Sequence, residues 1–230
     1  MKIWVDYYDS AHSIYVSDVH RDAHFRLIAD DLIGFIPSKD ATLLDYSCGE
    51  ALDAARVAMA CGKLILAEPA PGVRERLKAT FKANPKIEVV SLDDLDAMAK
   101  GTIDCAALIS VAQYMDPADF DRMLDKMHGW LKSGGQLLIG DIVQPGTGAW
   151  RDVFALLQLA AQEGFLLDAL AGLVRMVFSD YRRLRQQTGL RRYSEVDMLA
   201  RLQAAGFGAK RLPTNVGHNP ARMSFVATRP

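Results

Sequence analysis

The sequence has too little of several things to belong to whole classes of protein. It holds three cysteines in 230 residues, Cys48, Cys61 and Cys105, an odd and scattered set that makes no disulfide framework. None has the CxxC spacing of a zinc site, so no metal is expected and a reducing compartment fits. Neither sign of charge is in excess: 27 Lys and Arg stand against 28 Asp and Glu, for a net charge of −1. No overall field therefore recruits nucleic acid or an anionic membrane. Internal repeats, low-complexity tracts and linkers are absent. The first residues, MKIWVDYYDS, have no apolar signal core, so the expectation is a cytoplasmic chain that is not secreted. A long apolar run is missing too. The greasiest stretch, Val153 to Phe178, is broken by Gln158, Gln162, Glu163, Asp168 and Arg175 at intervals shorter than the roughly 20 apolar residues a span requires. It reads as two largely buried helices broken near Gly164, either a core or homodimer-forming element or a lid over a greasy substrate.

What is present is an alternation of strand and helix. Half of the residues are hydrophobic, enough to fill one core, and a single domain over 1–230 is expected. Residues 1–20 carry four aromatics and little periodicity, an ordered arm, and His20 to Phe35 is a helix, so an arm and helix fill 1–36. Strands are expected at 42–46, 63–67, 86–90, 103–110 and 136–142, with helices at about 51–61, 71–83 and from Asp116–Pro117 to Leu131. Ser91 to Ala99 is a short polar turn or helix. Helical segments fill 150–187 within an insertion ending near 193, Ser194 and Asp197 have capping-box spacing before a helix to Ala205, and two late strands follow at 209–212 and 223–228. Five strands separated by helical segments imply a parallel, doubly wound α/β sheet.

The chain is organised around Thr42 to Val57, TLLDYSCGEALDAARV. An apolar pair runs into Asp45, a small-residue turn follows at Ser47, Cys48 and Gly49, and an alanine-rich helix begins. Such a strand–turn–helix presents free backbone N–H groups to a ligand at the strand's C-terminal end. A glycine-rich turn alone serves several nucleotides. This one lacks G-x-G-x-x-G, and the chain has no Tyr-x-x-x-Lys pair, which together disfavour an NAD(P)-dependent oxidoreductase. A carboxylate at Asp45 repels a pyrophosphate but suits a ligand bearing an ammonium and a sulfonium.

The run LLDYSCGEA resembles motif I of class I S-adenosylmethionine-dependent methyltransferases, whose usual form is a hydrophobic pair followed by D-x-G-x-G-x-G. Glu68, 19 positions after Gly49, resembles the acidic residue with which that family holds the ribose hydroxyls. IDCAALISVAQYM and LKSGGQLLIGD are similar to its fourth- and fifth-strand regions, so the resemblance covers roughly residues 40–142. It implies a Rossmann-like three-layer sandwich with a seven-stranded, mostly parallel sheet, an antiparallel last strand and a helical insertion, over 150–193, after strand five. It also implies S-adenosyl-L-methionine as cofactor: Asp45 with Ser47, Cys48 and Gly49 at the methionine end, Glu68 on the ribose, Pro69 along the adenine, Asp93 on its amino group, and Leu108 to Ser110 near the amino acid moiety. Ser47 and Ala51 replace motif glycines. Serine at φ > 0 costs on the order of 1 kcal/mol, while alanine demands only wider helix–strand packing. Solvated turn carboxylates are the plainer readings of Asp45, Glu68 and Asp93, and Cys48 and Cys105 read as packing residues.

For the methyl acceptor, a small molecule is expected, methylated on O or N. Of five histidines (His12, His20, His24, His128 and His218), His128 reads as a surface residue on a remote helix. His218, in VGHNPARM, can reach the cleft. Asp141, at the tip of the fifth strand, faces the same side. Asp141 and His218 are therefore the candidate catalytic contacts, with local loop hydrogen bonds as the alternative. Six arginines between Arg175 and Arg192 form either a solvated face or a clamp for an acid group on an apolar acceptor. Nucleic acid as acceptor is disfavoured. The competing function is a non-catalytic protein that keeps the S-adenosylmethionine pocket for regulation or scaffolding.

Overall fold

The computed structural model describes residues 2–9, 15–176 and 189–230. His12, Tyr181, Arg182, Arg183, Arg185 and part of the expected cap lie outside the described residues.

Seven strands form one sheet: β1 (Thr42–Tyr46), β2 (Lys63–Ala67), β3 (Ile87–Val90), β4 (Ile103–Ile109), β5 (Leu131–Ile142), β6 (Gly208–Arg211) and β7 (Met223–Thr228). Their spatial order is β3-β2-β1-β4-β5-β7-β6. The pairs among β1 to β5 are parallel, and β7 runs antiparallel to both β5 and β6. The expected Rossmann-like sheet is therefore present, with the order reversing between β1 and β4.

The apolar strand runs are explained by two covered faces. Leu43, Leu64 and Leu66 enter one core, beneath α2 (Asp18–Phe35), α3 (Ala54–Ala60) and α4 (Pro71–Phe81). Their neighbours Leu44, Ile65 and Ala67 turn to the other, beneath α5 (Leu92–Asp96), α6 (Pro117–Trp130) and α9 (Glu195–Ala204). Phe120 and Phe225, both fully buried, fill this second core, and truncating either to alanine is worth about 3–5 kcal/mol. The insertion after β5 contributes α7 (Ala149–Glu163) and α8 (Leu166–Met176). Gly164 separates them in the left-handed conformation, φ 81°, the usual device for ending a helix.

Several elements differ from expectation. The aromatic arm contains a helix, α1 (Lys2–Asp9). Its Trp4 ring lies 4.3 Å from that of Tyr114, and Asp9 Oδ1 accepts the Val73 N–H at the start of α4 at 3.1 Å. Those tertiary contacts, not local periodicity, place it. The helix after the first turn begins three residues late, at Ala54, because Ala51 itself sits at φ 41°. Extra strand residues precede Gln136, with a register shift between Ile103 and Cys105. Ser194 caps α9 through Asp197 N–H, but the reciprocal capping box is at Ser91 and Asp94. The helices α7 and α8 are not largely buried. Leu156, Leu159 and Ala169 face inward, while Trp150, Phe154, Leu167 and Val174 are exposed. Among the described residues no helix is long and apolar enough to cross a membrane.

Candidate active site

The C-terminal ends of β1, β2, β4 and β5 open on one cavity of about 390 Å³. Backbone strain is concentrated at its floor. Among the described residues, four without a glycine's freedom have φ in the left-handed region: Ser47 at 58°, Ala51 at 41°, Ser110 at 60° and Asp141 at 60°. Such conformations cost on the order of 1–3 kcal/mol each and persist where the surroundings over-determine them. Three of the four, Ser47, Ser110 and Asp141, line the cavity. Ala51 therefore needs more than wider packing, since both replaced glycines occupy strained positions.

At the β1 end, Ser47 N–H donates to Ala67 O at 2.7 Å, locking the turn against β2. Its buried Oγ has no hydrogen-bond partner. Glu68, buried at the tip of β2, accepts Gly49 N–H on Oε2 at 2.9 Å and Ala70 N–H on Oε1 at 2.8 Å. Burial raises its carboxyl pKa, against the pull of those two donors. Asp45 lies one layer deeper and is only 8% exposed. It borders a small cleft of about 40 Å³ that shares Ser47, Cys48 and Ile109 with the large cavity. Burial, reinforced by Glu68, raises the Asp45 pKa to about 7. Burial also pushes the Cys48 thiol well up, which keeps it protonated and inert.

At the β5 end a bulge aims Asp141 into the cavity. Pairing with β7 shifts register between Ile139 and Ile142, and a bulge of this kind redirects a side chain. Asp141 Oδ2 accepts the Ser110 hydroxyl at 2.8 Å, and its N–H donates to Asn215 Oδ1 at 3.1 Å. Its pKa is raised by burial, with Arg222 and the Ser110 hydroxyl opposing. Arg222 Nε stands 3.9 Å from Asp141, while its Nη2 is 2.8 Å from Asp152 of α7.

The cavity thus collects Ser47, Cys48, Gly49, Glu68, Pro69, Ser110, Asp141 and His218. Three other sequence candidates stand elsewhere. Asp45 opens on the small cleft, Leu108 is fully buried inside β4, and Asp93 is exposed on α5 away from the cavity lining. His128, expected at the surface, is partly exposed, with its ring 5.1 Å from Phe207.

Sequence reasoning missed His20 and His24, although their spacing of four puts both on one face of the helix. The ring centroids of His20 and His24 lie 6.2 and 6.4 Å from that of His218. Burial lowers His20 to about 4 and His24 to about 3, and proximity to His218 contributes to both. Burial and Arg222 also lower His218. Arg222 and Asp152 carry no sequence signal, because their pairing spans 70 residues. Among the described residues no group of three or more His, Cys, Asp or Glu is placed to hold a metal ion.

Residues 43–135 match the family model described as a methyltransferase domain. No curated protein matches the chain. Among solved structures it is similar to an S-adenosylmethionine-dependent methyltransferase from Thermotoga maritima, described as a possible histamine N-methyltransferase. The two share 16% identity with a TM-score of 0.57, over 92% of this chain and 91% of that one. It is also similar to the mitomycin 7-O-methyltransferase MmcR, at 20% identity and a TM-score of 0.60, over 89% of this chain and 53% of that one. At these identities the structures establish the fold.

Proposed function

We propose that this chain, whose residues 43–135 match a methyltransferase domain, is a class I S-adenosylmethionine-dependent methyltransferase that methylates a small-molecule acceptor bound beside Asp141 and His218. One observation supports the reading above the rest. Two buried carboxylates, Asp45 and Glu68, stand at the tips of adjacent strands, both with raised pKa values. A buried carboxylate is stabilised when a cation reaches it, and Asp45 suits the ammonium of the methyl donor. Glu68 suits a pair of hydroxyls, since each oxygen retains a lone pair beyond its present backbone donor. Ser47 Oγ, buried without a partner, is a third group available to the ligand. Pro69, with Trp4 and Val73 behind it in the lining, supplies an apolar slot for the adenine.

When bound, S-adenosylmethionine supplies an activated methyl group on a sulfonium. The chain's own contribution is positioning and proton control. Ser110 and Asp141 share a hydrogen bond at the β4–β5 tips, where an acceptor group can be oriented. His218, neutral at pH 7 because its pKa is lowered, can accept a proton from an acceptor hydroxyl. The helices α1, α2, α7 and α8 wall the cavity. Of the arginines expected to clamp an acid group, Arg191 pairs with Asp116 and Arg175 donates to Val16 O, and neither lines the cavity. In this reading Asp93 acts only if α5 moves toward the adenine. The reading also includes the cytosol, consistent with three free cysteines, and a homodimer through the exposed faces of α7 and α8.

The test is calorimetry with S-adenosylmethionine and S-adenosylhomocysteine, followed by turnover against a metabolite panel. Binding of both, with methyl transfer to a member of the panel, supports the reading. No binding of either ligand by the folded protein removes it.

A further inference from the structure

One half of the cavity lies apart from the residues assigned above to the methyl donor. It is walled by α2, α7 and the loop joining β6 to β7. Here His24 and His218 face one another, and neither ring makes a hydrogen bond among the described residues. His20, one turn before His24, accepts the Val16 N–H on Nδ1 at 3.3 Å, so its proton sits on Nε2. Tyr15 packs 5.5 Å from the His24 ring and 6.0 Å from that of Phe25. Leu156 and Leu173 extend the wall in aliphatic side chains.

The charges in this half decide which ligands fit. The cation here, Arg222, has a side chain 10% exposed; its Nη2 is held by Asp152, while its Nε, 3.9 Å from Asp141, has no hydrogen-bond partner. A carboxylate ligand reaching that Nε meets the Asp141 and Asp152 carboxylates beside it, two negative charges against one positive. An ammonium ligand has to leave water for neutral imidazoles and hydrocarbon beside the Arg222 guanidinium, and that desolvation is poorly compensated. A neutral hydroxyl suffers neither loss. It can donate to the lone pair of one imidazole and accept from the N–H of the other. A flat ring behind it covers the apolar wall, where aromatic contacts favour offset or edge-on neighbours.

We propose that this half of the cavity binds an uncharged aromatic alcohol, its hydroxyl between His24 and His218 and its ring against Tyr15, Phe25 and Leu156. The proposal rests on the methyltransferase reading and makes His24 a specificity-determining residue. Two neutral imidazoles on separate elements set the position of the hydroxyl, and the hydrocarbon wall sets the plane of the ring.

The probes are 2-naphthol, 2-naphthoate and 2-naphthylmethylamine, which share one ring system and differ in charge. Each is titrated into protein saturated with S-adenosylhomocysteine. The naphthol is expected to bind at least about tenfold more tightly than either charged analogue, since a site built for a neutral hydroxyl rejects uncompensated charge. His24→Phe keeps the ring but removes both nitrogens, and is expected to weaken naphthol about fivefold or more. His24→Gln restores part of that loss. Affinity for S-adenosylhomocysteine stays within about twofold in both variants, as for a site that the donor does not touch. In wild type, the His24 ring nitrogens shift on naphthol addition in ¹⁵N NMR spectra. A charged analogue binding as tightly as naphthol, no naphthol binding, or undiminished binding in both His24 variants overturns the proposal. If S-adenosylhomocysteine itself fails to bind, the methyltransferase reading falls separately, and naphthol titrated into the unloaded protein decides this inference.

Discussion

Asp31 Oδ2 accepts the Gly217 N–H at 2.6 Å across 186 residues of chain. That bond pins the β6–β7 loop to α2 and sets His218 opposite His24. Gly217, at φ 76°, supplies the turn that allows it. Burial raises the Asp31 pKa while the Gly217 N–H works against the rise.

Asp31→Ala removes this tether. Hydrogen bonds to a charged group are worth about 1.5–3 kcal/mol, so a loss near the lower end is expected for a partly exposed carboxylate. The functional effect falls on the acceptor. KM for the acceptor rises several-fold while S-adenosylhomocysteine affinity is unchanged. Steady-state kinetics and calorimetry on the same preparation separate the two.

Asp45 makes stability depend on pH in the ligand-free protein. Its pKa rises from 3.8 to about 7 on folding, so between those values the folded state binds more protons than the unfolded state. The Asp45 contribution to stability therefore falls as pH rises through this window, by on the order of 1 kcal/mol per pH unit. Asp45→Asn flattens the slope and raises the apoprotein's stability above pH 7, while weakening binding of S-adenosylmethionine about tenfold or more. Urea midpoints measured from pH 5 to pH 8 check the first part, and titration calorimetry the second.

Ser47→Gly relieves a left-handed serine with an unpartnered buried hydroxyl. The relief is about 1–2 kcal/mol and is offset by the extra freedom of glycine in the unfolded chain, about 0.5–1 kcal/mol. A net gain of about 1 kcal/mol is expected, read as a higher thermal midpoint. An unchanged or lower midpoint shows that the serine holds the turn through contacts the ligand-free structure does not contain.

His20 and His24 govern the acid side. Their pKa values fall from 6.5 to about 4 and about 3 on folding. Below pH 6.5 these sites in the unfolded chain take up protons that the folded chain refuses, so their contribution to stability falls as pH drops toward 4, opposing that of Asp45. His24→Gln removes one of these sites and makes the acid limb shallower. Denaturant unfolding between pH 4 and pH 7 measures it, and identical limbs in wild type and variant contradict the assignment.

The sequence by itself determined the sheet and the turn that follows its first strand. Leu43–Leu44 and Leu64–Ile65 are apolar at every position because both faces of their strands are covered, and that needs no knowledge of partners. Asp45, Gly49 and Glu68 were legible for the same reason, since strand tips and the turns after them are local features. The left-handed conformation expected at Ser47 was local as well. The tertiary structure decided the rest. Only chain pairing produces the bulge that turns Asp141 inward, the helix that buries Trp4 against Tyr114, and the Arg222–Asp152 pair across 70 residues. The imidazole cluster was half visible. A spacing of four put His20 and His24 on one helical face, but the face alone did not say what it met. The Asp31–Gly217 bond brings His218 there, because a long-range contact is fixed by packing of whole elements and not by the residues on either side of it.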